Sequence, residues 1–180
     1  MQPWKTISKK TILNHSPWLT VEDHTIELPD GRIIDRWPWL ITKDYVNVAA
    51  VTRGGKYLCF RQTKYSVDGV TLAPVGGSLD PSEDALGAAR RELLEETGYE
   101  APDWIRLGTY MVDGNHGAGR AHLFLARGAK HVTSPRSDDL EEQQLLLLSR
   151  SELEAAVRAG EFKVLGWTAT MALALALHKD

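Results

Sequence analysis

Hydrophobic and polar residues alternate in short bursts along the first part of the chain. Residues 18–21 (Trp-Leu-Thr-Val) and 24–28 (His-Thr-Ile-Glu-Leu) read as strands. Pro29-Asp30-Gly31-Arg32 reads as a turn, and residues 33–42 as the strand that pairs back across it. Residues 46–51 and 56–61 predict two more strands joined at Gly54-Gly55, and residues 105–112 and 121–126 a later pair. Between that later pair, residues 113–120 predict a mobile, glycine-rich loop, while 130–136 reads as irregular. Near the end, Ser149 or Ser151 caps a helix running to about Ala159 with Gly160 as its stop, and residues 164–178 predict a closing helix of leucines and alanines.

The most informative stretch is 77–99, whose second half predicts a helix. Asp80 and Glu83 have capping-box spacing, Pro81 takes the favoured first helical position, and Gly98 ends the helix. At about 100° per residue, Leu86, Ala89, Arg90, Leu93 and Leu94 share one side. Glu92, Glu95 and Glu96 share another, and Ala85, Ala88 and Ala89 keep the nearby surface small. These carboxylates repel one another at such spacing, no lysine relieves them, and they occupy the helix end where the dipole disfavours negative charge. They also follow Pro74-Val75-Gly76-Gly77, whose backbone can come close to a ligand. Hard oxygen donors beside an open loop suit Mg²⁺ or Mn²⁺, which accept phosphate oxygens as further ligands.

Composition narrows the classes. The 180 residues suit one domain with a modest extension, and 43% hydrophobic with 25% charged residues is ordinary for a soluble globular chain. A formal charge of -3 gives no support to nucleic-acid or anionic-membrane binding. No stretch is long and apolar enough to span a bilayer, and residues 1–10 lack a leader pattern. Cys59 is the one cysteine and sits in a strand pattern, so it reads as a buried structural thiol in a reducing, cytoplasmic setting.

Gly77, Glu83 and the run Arg91-Glu92-Leu93-Leu94-Glu95-Glu96-Thr97-Gly98-Tyr99 follow a known spacing: Gly, five residues, Glu, seven residues, then Arg-Glu-aliphatic-x-Glu-Glu-x-Gly-aliphatic. This resembles the signature of the Nudix hydrolases, with Tyr99 in place of the final aliphatic residue. The N-terminal strands, Arg61-Gln62-x-Lys64, Pro74-x-Gly76-Gly77, the His122-x-Phe124-x-Ala126 strand and the acidic run at 138–142 extend the resemblance to the ADP-ribose pyrophosphatase branch.

The resemblance implies an α/β fold: a Nudix α/β/α sandwich on a mixed sheet (45–180), preceded by an N-terminal antiparallel strand arm (1–44) that forms a homodimer and touches substrate. It implies a metal-dependent pyrophosphohydrolase cleaving a nucleoside diphosphate linked to another moiety, foremost ADP-ribose to AMP and ribose 5-phosphate. Other NDP-sugar or nucleoside triphosphate hydrolysis is one alternative, and a non-catalytic nucleotide sensor is another. Glu92, Glu96 and the Gly76 carbonyl would be ligands of Mg²⁺ or Mn²⁺, and Glu95 a ligand or close support. Arg91 would hold the glutamates and Glu83 support the array. The general base would come from the late acidic loop, with Glu141 matching best and Glu142 and Asp139 as rivals. Trp18 fits the role of stacking on the base, and Trp37 or Trp39 more loosely; plain core packing is the other reading of these indoles. Arg61 and Lys64 are either strand-end charge or phosphate contacts, Gly77 offers backbone to the ligand, and His116 and Arg120 are either solvated or within reach of substrate. Two positions depart from the branch: residues 72–76 hold no acid, and Asn115 stands where a proline is common. Both leave the pyrophosphatase reading in place and widen the choice of the substrate's second half.

Overall fold

The computed structural model describes residues 1–136 and 142–178. In chain order the strands and helices are β1 (Lys5–His15), β2 (Leu19–Glu27), β3 (Ile33–Ile41), β4 (Tyr45–Thr52), β5 (Tyr57–Lys64), β6 (Val67–Ala73) and β7 (Val75–Ser78). There follow α1 (Ala85–Thr97), β8 (Tyr99–Glu100), β9 (Asp103–Asp113), β10 (Gly117–His131), β11 (Gln143–Leu148), α2 (Arg150–Arg158) and α3 (Leu165–Leu177). They form two compact units, Met1–Asp44 with Tyr110–Arg120, and Tyr45–Thr109 with Ala121–Asp180.

In the first unit β1, β2 and β3 make an antiparallel meander. The two strand segments expected at 18–21 and 24–28 are one strand, because Glu22 and Asp23 continue the ladder opposite Trp39 and Pro38. β1 was not foreseen; every residue in it is exposed, so it carries no inward-facing hydrophobic signal. The expected mobile loop at 113–120 is instead a tight turn followed at once by β10. The Asp113 carboxylate accepts from the backbone N–H of Asn115 at 2.7 Å and of His116 at 2.8 Å, the side-chain turn that Asp forms readily. Gly117 and Gly119 are needed for close approach: both have positive φ, and a Cβ there would run into Trp39 and the Lys43 carbonyl respectively.

In the second unit β4 lies at the centre of a mixed sheet, parallel to β10 and antiparallel to β5 and β7, with β11 and β6 on β5. The alternation of β4 sorts its side chains onto two faces. Val46, Val48 and Ala50 join Leu58, Phe60 and the α1 residues Ala88, Ala89 and Leu93 in one cluster. Ala49 and Val51 join Tyr57, Cys59, Leu153 of α2 and Met171 and Ala174 of α3 in the other. The result is the α/β/α sandwich that the resemblance implied. Ser149 caps α2 in a full capping box with Glu152, and Arg150 donates to the last carbonyls of α3 at Leu175 (2.7 Å) and His178 (2.6 Å). Cys59 is buried, and loss of solvation pushes its thiol up to about 12, as an inert structural sulfhydryl requires.

Candidate active site

α1 starts later than its capping-box spacing predicted. Asp84 is the N-cap and accepts from Gly87 N–H at 2.6 Å, so Pro81 lies in a turn outside the helix. Glu83 still reaches back to the Asp80 N–H (3.0 Å), which is half of a capping box, but its carboxylate is shared with an arginine. Ala88 and Ala89 are fully buried core residues and leave no open surface; Arg90 is exposed, not on the packed side. The left-handed Gly98 ends the helix as expected and donates to Leu94 O.

Arg91 is the hub. Its Nε and Nη2 donate to the two Glu83 oxygens at 3.2 and 2.6 Å. Nη1 donates to Glu92 Oε1 at 2.9 Å and to Glu95 Oε2 at 3.1 Å, and Nη2 also donates to the Ser78 carbonyl at 3.2 Å. A guanidinium has five N–H groups in a fixed fork, so these bonds engage its whole donor set. The Arg91 guanidinium holds the Glu83 carboxyl below the usual carboxylate range, and its own pKa is raised, first by Glu83. Glu96 takes a different partner, accepting the Gly76 N–H at 3.0 Å. The side chains of Arg91 and Glu96 thereby tie the helix to the backbone of β7.

Glu83 gives this array a pH signature. Its carboxyl ordinarily titrates near 4.5 and is lowered in the fold, so the Arg91–Glu83 contribution is complete above that value and lost as pH falls through the lowered one. Melting temperatures between pH 6 and 3 are expected to fall more steeply in the natural chain than in Glu83→Gln. Parallel acid limbs would contradict the pairing.

The donor set fits a hard divalent ion. Glu92 and Glu96 are carboxylates, and a Cβ at Gly77 would collide with the Glu92 carboxylate, so the glycine is a cradle for that side chain. Among the described residues no three His, Cys, Asp or Glu side chains close on one point. Mg²⁺ rarely asks for such a cage; it is held by one or two carboxylates with water and substrate phosphate filling the shell.

The remaining predicted positions divide between the units. In the second, exposed Arg61 and Glu142 line one cavity of about 240 Å³ with Gln62 and Thr63, and Lys64 is half-buried at the end of β5. Asp139 and Glu141 lie outside the described residues. In the first unit, Trp18 is 74% exposed with the Lys43 ammonium 5.6 Å from its ring. Trp37 stacks on His116 and donates from Nε1 to Asn115 O at 2.9 Å, and Trp39 stacks on His24. Both indoles are therefore engaged by histidines. His116 is further tied to Asp113 Oδ2 at 3.1 Å, and the Arg120 backbone N–H to Asp44. Trp4 and His24 were missed by sequence reasoning; both line a cavity of about 210 Å³ with Trp37 and Trp39. Inward alternation along β2 signals His24, but nothing in residues 1–10 signals Trp4.

Residues 42–168 match the family model described as the NUDIX domain. The chain belongs to the Nudix hydrolase family. Residues 4–40 of this Nudix hydrolase match a second model, the nucleoside diphosphate sugar hydrolase N-terminal domain. It is 30% identical to the ADP-ribose pyrophosphatase of Bacillus subtilis (strain 168) over 87% of this chain and 83% of that protein. It is 27% identical to a CMP-5'-(N-acetyl-N-hydroxy-3-aminopropyl)phosphonate hydrolase of Streptomyces rubellomurinus (strain ATCC 31215), over 83% of this chain and 71% of that one. A crystal structure of an ADP compounds hydrolase superposes with a TM-score of 0.81, covering 96% of this Nudix hydrolase and 92% of that chain at 18% identity, which establishes shared fold.

Proposed function

We propose that this Nudix hydrolase is a divalent-metal-dependent pyrophosphohydrolase of a nucleoside diphosphate linked to another moiety, with ADP-ribose, cleaved to AMP and ribose 5-phosphate, as the favoured substrate. The observation that carries this is the gathering of Glu83, Glu92 and Glu95 on Arg91, with Glu96 on the Gly76 N–H, three of the four acids standing in the last turns of α1, where the dipole disfavours them. The similarity to an ADP-ribose pyrophosphatase over most of both chains supports the substrate.

Glu92, Glu96 and the Gly76 carbonyl, with Glu95 as ligand or support, would hold Mg²⁺ or Mn²⁺, which when bound neutralises pyrophosphate charge and acidifies water. The chain supplies the rest. Arg91 fixes the rotamers of Glu92 and Glu95, and Glu83 fixes Arg91. A late-loop carboxylate, Glu141 or Glu142, takes a proton as water oxygen bonds to phosphorus and the bridging P–O bond breaks, releasing the second phosphate. Arg61 and Lys64 offset the charge of the diphosphate, with Gly77 backbone, His116 and Arg120 as further contacts. Trp18 offers an open indole for the base, whereas Trp37 and Trp39 each have a histidine stacked on them. Exposed Ile7, Ile12 and Leu13 along the fully exposed strand β1, with exposed Trp18 in the turn after it, support a homodimer through the N-terminal arm. The lone buried thiol suits the cytoplasm.

Purified protein with Mg²⁺ or Mn²⁺ and a panel of ADP-ribose, other NDP-sugars and nucleoside triphosphates tests the reading. AMP with ribose 5-phosphate as the leading products is the expected result; no cleavage of any linked diphosphate would defeat it.

A further inference from the structure

The last carbonyls of a helix have no partner within it and must find one elsewhere. In α1 the Leu94 carbonyl takes the Gly98 N–H at 2.8 Å, the bond of the left-handed cap. The others turn to the chain that leaves β10. The end of β10 pairs with β8, His131 opposite Tyr99, which brings the following residues over the end of α1. Val132 and Thr133 donate from their main-chain N–H groups to the Gly98 carbonyl at 2.9 and 3.2 Å, and Arg136 donates to the Glu95 carbonyl at 2.7 Å. The crossing is close: a Cβ on Gly98 would run into the Thr133 carbonyl.

Glu95 therefore holds two things at once. Its carboxylate accepts from Arg91 Nη1 at 3.1 Å, in the array that includes Glu92, and its main-chain carbonyl holds Arg136. The Arg136 side chain is exposed, and the acidic run that supplies the base in the reading above begins two residues further on. Beyond that run the chain is fixed again, with Gln143 of β11 opposite Gln62 of β5. Resting on the pyrophosphohydrolase reading, we propose that Arg136 is a positioning residue acting through its main-chain N–H. Held on the Glu95 carbonyl, it sets where the acidic run departs, so the carboxylate that takes the water proton is delivered from the helix end that presents Glu92 and Glu96 to the metal. Without this bond the last anchor before the run falls back to Thr133. The added chain freedom alone is worth only about twofold, whereas a base displaced by about 1 Å can cost about 10²-fold.

The test removes the N–H without touching an acid. Residues 132–136 lie outside helix and strand, so Arg136→Pro deletes one donor and breaks no ladder. It is compared with Arg136→Ala, which keeps the N–H, using ADP-ribose or the best substrate of the panel above. Arg136→Pro is expected to lower kcat about tenfold, with KM and the Mg²⁺ requirement nearly unchanged, while Arg136→Ala matches the natural chain. On a Glu141→Gln/Glu142→Gln background, already slow, adding Arg136→Pro is expected to change kcat by less than about twofold, because groups that act through one another do not add. Natural kcat in Arg136→Pro, or the same loss on the glutamine background, would overturn the role. So would a raised Mg²⁺ requirement or a much earlier melt, either of which makes the bond a brace of the helix. All four leave the hydrolase reading standing. Natural turnover in the glutamine background would remove the base from this run and the assignment with it, and a natural chain that cleaves no linked diphosphate would overturn the hydrolase reading itself.

Discussion

Glu96→Gln is expected to lower turnover about 10³-fold, the several kcal/mol that a metal ion contributes at a developing phosphate charge. The substitution keeps the side chain's length and shape, and its amide oxygen still accepts the Gly76 N–H that the carboxylate now takes at 3.0 Å. Folding therefore has little to lose, while the negative charge that would face the cation is gone. Two measurements separate the effects: initial rates at saturating Mg²⁺, and a thermal melt without metal. A variant with natural activity would contradict the metal role; one that melts far earlier would instead make Glu96 a structural strut.

Arg91→Lys is the second large effect, and it shows why a conserved charge is not a conserved function. Arginine reaches Glu83, Glu92, Glu95 and the Ser78 carbonyl at once through a planar fork. An ammonium has three donors on a single point and cannot span three carboxylates. The glutamates would then spread under their mutual repulsion, and a ligand displaced by about 1 Å can cost about 10²-fold in rate. Because Arg91, Glu83 and Glu92 are largely shielded and Glu95 is half exposed, the lost charge-assisted bonds are expected to cost about 1–3 kcal/mol of stability, chiefly through Glu83 and Glu92, or a few degrees in melting temperature. Activity is thus expected to fall far more than stability. A lysine variant with natural kcat/KM would show that the guanidinium does not organise the site.

Much of this was legible in the chain because the relevant signals are local. The spacing of Glu92, Glu95 and Glu96 follows from helical pitch alone, and the Gly98 stop from backbone sterics. The strand expected over 46–51 is there as β4, which is central in the second unit. What escaped depends on partners distant in sequence. The helix starts after Asp84, not Asp80, with Asp84 taking the Gly87 N–H, while Glu83 divides its carboxylate between the Asp80 N–H and Arg91, a tertiary claim on a local cap. Glycines at 114, 117 and 119 looked like a flexible loop, yet two of them serve close packing against Trp39 and Lys43. Trp37 and Trp39 looked open to a ligand because only the fold brings their histidine partners, His116 and His24, against them.

Gly77, which opens the signature, and Gly76 just before it divide the labour between them. A methyl group at 76 would meet the main-chain oxygen of Val46, which cannot step aside, whereas one at 77 would meet only the carboxylate tip of Glu92. Damage at the first is paid by the scaffold, at the second by the chemistry: one alanine variant would vanish from the soluble fraction, and the other would purify intact and sit idle.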